Sequence, residues 1–159
     1  MEIPSELLRE VERRGLDIVD IIIGAIERVD LSSGIKLRVD LAMKYLNESR
    51  SYMEKGDAVQ ASEKAYKAVE EVIKALAERY NTPEYQEAVR EGGWFTYILQ
   101  RASNTLSTIL GEWVAMGWAS AYAVHVWGFH EGKLSTKDLT TYVKIIEETI
   151  NKAVHILAK

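Results

Sequence analysis

The stretch AYAVHVWGFHEGKLS, residues 121–135, gathers the residue types best suited to chemistry. It holds His125 and His130, two of the three histidines, together with Trp127 and Glu131. Imidazole moves protons near neutral pH and binds borderline metals. Spacing decides whether these two rings can cooperate. Positions five apart on an α-helix differ by ~140° around the axis, so an unbroken helix points the rings apart. They converge only where Gly128 ends or distorts that helix. A metal centre needs a third and a fourth ligand, and Glu131, next to His130, is splayed as well. The expectation is therefore no metal and no cofactor. His125 reads as a hydrogen-bonded core histidine, and His130 as a helix-end residue near the C-terminal dipole. His155 lies in the last helical segment with no partner suggested by spacing.

Trp113, Trp118, Tyr122 and Trp127 share one helical segment. Such a stripe can stack bases, but it reads better as core or as an oligomer interface. Tyr122, Trp127 and Asn104 are the candidate binding residues. Gly117 and Ala121, four apart and small, let another helix come close on that face. No Gly-x-Ser-x-Gly elbow, phosphate loop, dinucleotide fingerprint or Glu-x-x-His pair is present.

These residues sit on helices. Period-two alternation is absent and apolar spacings of three and four recur throughout. The pattern predicts segments at about 4–14, 17–29, 35–55, 57–80, 83–92, 94–110 and 112–127, with a last helix after Ser135. Asp17 caps the second, and DLSSG, residues 30–34, reads as a loop. Lys55-Gly56-Asp57 is a tight turn between antiparallel helices. Thr82-Pro83 starts a helix, and Ser135 to Asp138 forms a capping box. In 57–80, Ala58, Ser62, Ala65, Val69, Val72, Leu76 and Tyr80 make the apolar stripe. The pairs Glu63/Lys67, Lys67/Glu71, Glu70/Lys74 and Lys74/Glu78 read as a solvated face. The organisation expected is an N-terminal helical extension, 1–30, packed on the same domain, and a helical bundle, 31–159.

Composition narrows the function classes. The chain has 159 residues, no cysteine and a formal net charge of −4. A disulfide scaffold, a thiolate zinc site and a cysteine nucleophile are excluded. Basic residues are interleaved with acids, so tight nonspecific nucleic-acid binding is not supported by charge. The charge-free run Trp113 to His130 approaches a membrane-spanning length, but its histidines and small residues favour a bundle's central helix. A cytoplasmic location without membrane insertion is expected.

Two segments carry a family resemblance. In GDAVQASEKAYKAVEEVIKALAERY (56–80) the marks are Gly56-Asp57, Gln60-Ala61-Ser62-Glu63-Lys64, Glu70-Glu71 and Ile73-Lys74-Ala75-Leu76-Ala77. In the second segment they are His125 and Gly128-Phe129-His130-Glu131. The chain resembles the archaeal PaREP family (types one and eight) over roughly 35–155. That family is similar in turn to the HEPN superfamily. The resemblance implies an all-α antiparallel bundle, often dimeric. Active HEPN members are metal-independent ribonucleases with an Arg four to six residues before a His, and some partner nucleotidyltransferases in toxin–antitoxin pairs. Here no Arg stands at that distance from His125 or His130; the nearest upstream is Arg101. The function expected is a non-catalytic, homodimeric binding or assembly module, with a further protein partner possible. The alternatives are a degenerate ribonuclease or nucleotide-binding site using His125, His130, Glu131 and Arg101, and a toxin–antitoxin or nucleotidyltransferase partner.

Overall fold

The structure is a computed structural model describing residues 1–159. The chain is all-α. Its helices are α1 (Ser5–Arg13), α2 (Ile18–Glu27), α3 (Leu31–Glu54), α4 (Ala58–Arg79), α5 (Pro83–Glu91), α6 (Thr96–Leu110), α7 (Trp113–Ala123) and α8 (Thr136–Leu157). A π-helix, Val124–His130, continues α7 without a break.

Helix ends follow side-chain chemistry. Asp17 accepts the Val19 and Asp20 amides, Asp57 accepts the Gln60 amide, and Thr82 caps α5 with Pro83 behind it. Ser135 and Asp138 close a reciprocal capping box on α8. Each cap satisfies amide donors that the helix itself cannot. Gly56, at φ +76°, makes the turn that sends α4 back along α3. The expected loop 30–34 is instead a cap and a first turn. Asp30 accepts from the Ser32 amide at 3.1 Å and from the Ser32 and Ser33 hydroxyls at 2.8 and 2.6 Å. Loop-like composition was here the composition of a helix start.

The central helix is α4, not the apolar run at 113–130. Residues 71–78 of α4 are buried without exception, charged ones included. Neighbours cover it on all sides: α3, α6, α7, α8 and the π-helix pack against it. The core comprises Ala65, Val69, Val72, Ile73 and Leu76 of α4, Leu46 of α3, Leu99 and Leu106 of α6, Trp118 of α7, and Ile146 and Ile150 of α8. Gly117 lies where a Cβ would overlap the Thr149 side chain of α8, so the expected close helix approach is real. No helix is long and apolar enough to cross a membrane.

Candidate functional site

The π-helix overturns the expectation that His125 and His130 point apart. A π-helix closes its hydrogen bonds over five residues, as from the Glu131 amide to the Val126 carbonyl at 2.9 Å. Residues five apart then lie one above the other. His130 Nε2 comes within 3.1 Å of His125 Nε2. Distortion is the one route by which the rings could meet, and Gly128 is at its centre. A Cβ at 128 would overlap the Ser62 side chain, so only glycine lets the widened turn press onto α4.

His125 is held from three sides. Its Nδ1 stands 3.0 Å from Glu63 Oε2, and its ring stacks on Tyr66 at 3.9 Å with planes 21° apart. Phe129 flanks it at 6.1 Å. An ionised carboxylate only accepts hydrogen bonds, so Nδ1 carries the proton and Nε2 of the neutral ring is left with a lone pair. His130 is exposed. The result is an ordered chain, Glu63–His125–His130, that starts on α4 and ends at solvent. Spacing predicts a solvated Glu63/Lys67 pair, but Glu63 is mostly buried, because the π-helix covers that face.

The other candidates lie as follows. Arg101 donates to Glu87 Oε2 at 2.8 Å, and Asn104 is exposed on α6; the bonding partners of His125 are Glu63 and His130. Glu131 is exposed and caps the π-helix. Trp118 is buried, its indole donating to Gln100 Oε1 at 2.8 Å. Tyr122 and Trp127 are 42% and 55% exposed and lie on the outer face of the same helix.

A second polar cluster lies where the sequence pattern predicts a solvated face. Arg38 of α3 is buried, yet it donates to four carboxylates: Glu78 at 2.7 Å, Asp20 at 2.8 Å, Glu71 at 2.9 Å and Glu27 at 3.3 Å. Lys74, also buried, reaches Asp20 at 2.8 Å and Glu70 and Glu71 at 3.6 Å. Glu70/Lys74 is thus the one expected pair to form; Glu71 and Glu78 turn inward to Arg38. The face is closed rather than solvated because α2 and α3 lie over it and bring Asp20, Glu27 and Arg38. Five carboxylates share two cations here. Burial, reinforced by Glu71, Asp20 and Glu63 and opposed by Lys74, pushes the Glu70 carboxyl up to about 7. Burial and contact with Glu27 also push Glu78 upward, against the pull of Arg38. Asp20 is drawn below the usual carboxylate range by Lys74 and Arg38, which outweigh its burial. Beside this network a cavity of about 340 Å³ opens between α2 and the α5–α6 turn, with Arg38 in its wall and Trp94 and Phe95 at its far side. The signal available in the sequence was the isolated Arg38 on the apolar face of 35–55.

The sequence profile of the archaeal PaREP1/PaREP8 family matches residues 37–150. The chain belongs to that family. It is similar to a protein from Sulfolobus solfataricus known from a crystal structure, with 35% identity and a TM-score of 0.65 over 72% of this chain and 93% of that one. A solution structure of the same structural-genomics target gives 36% identity and a TM-score of 0.63, over 72% of this chain and 88% of that one. No curated protein is significantly similar. Helix α2, with Asp20 and Glu27, lies before the matched residues, whereas both histidines and Glu63 lie within them.

Proposed function

We propose that the protein is a homodimerising helical module whose copies meet along the outer face of α7 and the π-helix. One observation carries this reading: Met116, Ala119, Tyr122 and Trp127 form an exposed stripe along a segment, 113–129, that contains no charged residue. An isologous contact sets each surface patch against its own copy. A charged face then meets like charge, and in a chain of net charge −4 a neutral stripe avoids that repulsion. Exposed aromatic and Met side chains are also the types enriched at interface centres. The dimeric habit implied by the HEPN resemblance supports the same reading. Sedimentation at micromolar concentration should give a dimer, and a Met116→Glu/Trp127→Glu variant should be a folded monomer. A monomeric wild type refutes the reading.

The convergence of His125 and His130 favours a second reading, metal-independent cleavage of RNA. A neutral His125 with its Nδ1 proton on Glu63 presents Nε2 as a general base, and His130 stands where a proton can pass on. A labelled RNA pool incubated with EDTA tests it: cleavage should be lost in His125→Ala and in His130→Ala. Intact RNA with the wild type returns the site to a non-catalytic role.

A further inference from the structure

We propose that His125 and His130 form a two-histidine site for one divalent transition-metal ion of the zinc, nickel or copper class. Two nitrogens bound to one ion at ~2.0–2.1 Å lie about 3 Å apart at a right angle and about 3.4 Å apart at the tetrahedral angle. The two Nε2 atoms are 3.1 Å apart. A hydrogen bond between two rings favours a head-on approach. Here the ring centroids are only 4.4 Å apart and the planes cross at 81°, so at least one nitrogen points off the line joining them. That nitrogen is free to face a third atom.

The surroundings match what a ligating histidine needs. Metal-bound imidazole usually gives its other N–H to a carboxylate, which fixes the tautomer and raises ligand basicity. Glu63 does this for His125 at 3.0 Å. Tyr66 stacks on the ring and fixes its plane. His130 is exposed, which supplies the entry path. Imidazole ligands select zinc, copper or nickel over magnesium and calcium, which take oxygen. No third His, Asp or Glu converges with them. The remaining positions therefore go to water or a ligand from solution, as in an open site. The backbone points the same way. Seven residues of π-helix are uncommon, and such segments concentrate at functional sites. In an α-helix the same two residues would be splayed.

Calorimetric titration of untagged, metal-stripped protein with zinc chloride tests the site. One ion per chain is expected. His130→Ala should weaken binding at least tenfold; His130 is exposed, so the fold survives its loss. His155→Ala, which alters the remaining histidine, should leave the titration unchanged. Glu63→Gln should weaken binding on the order of 10–100-fold while the circular dichroism spectrum is retained. No heat at millimolar zinc, or wild-type affinity in His130→Ala, overturns the proposal. The EDTA-treated RNA assay reads the cleavage hypothesis separately, so either can fail alone.

Discussion

The Arg38 network and the histidine pair both hang from α4, the first through Glu71, Lys74 and Glu78 and the second through Glu63. They treat polar groups in opposite ways. Arg38 is buried and donates to four carboxylates, and Asp20 bridges Arg38 and Lys74. That cluster is turned mostly on itself, with Glu78 Oε2 left unpartnered and Arg38 in the wall of the neighbouring cavity, and it ties α2 and α3 to α4. The histidine pair is anchored at one end and open at the other: Glu63 is mostly buried and His130 is exposed. A closed cluster specifies how helices dock. An open one ends in an imidazole that a group from solution can reach.

The contrast can be broken first at Arg38. Arg38→Ala leaves buried carboxylates without their cation, and the loss should be about 3–5 kcal/mol in urea denaturation. The histidine end responds less. Gly128→Ala drives a methyl group into Ser62, at a cost of about 1–3 kcal/mol. A Ser62→Gly change in the same chain should recover part of that loss, which would show that the close approach, not glycine flexibility, is what matters. The remaining expected effect is on pH. Glu70 and Glu78 hold their protons more tightly folded than unfolded. The folded state therefore takes up protons, and stability falls as pH rises from the carboxyl value of 4.5 through about 7 for Glu70 and beyond that for Glu78. Asp20, drawn down, is ionised in both states across that range and adds no slope. A decline of at least about 2–3 kcal/mol between roughly pH 5 and 8 is expected from thermal melts, and Glu70→Gln should flatten it in part, leaving the share of Glu78. A wild-type profile that rises over that range contradicts the buried acid cluster.

Much of the fold was written locally. Asp17, Asp57, Thr82-Pro83 and Ser135 to Asp138 cap the helices their spacing announced. The stripe Ser62, Ala65, Val69, Val72, Leu76 faces the core, whereas its ends do not, Ala58 being half-buried and Tyr80 exposed. Gly117 permits the close helix contact its size suggested. What sequence could not show was which faces a distant segment would cover. The alternating charges of α4 look solvated until α2 and Arg38 close over them. Likewise 113–130 looks like the innermost helix, because apolar density does not distinguish a covered face from an exposed stripe. Residue spacing placed the histidines correctly for an α-helix, and failed because the backbone left that geometry. Gly128 was the only local hint.

The π-helix also bears on how the histidine pair is to be recognised in other chains. A widened turn is equivalent to one residue inserted into an α-helical frame. The arrangement His-x-x-x-x-His on a π turn and His-x-x-x-His on an ordinary α turn both bring two imidazoles to one face. A relative one residue shorter between these positions would keep the pair while appearing, in an ungapped alignment, to have lost His130. Counting both spacings as equivalent, with the acid of α4 at the position of Glu63 as the third mark, gives a sharper signature than either histidine alone.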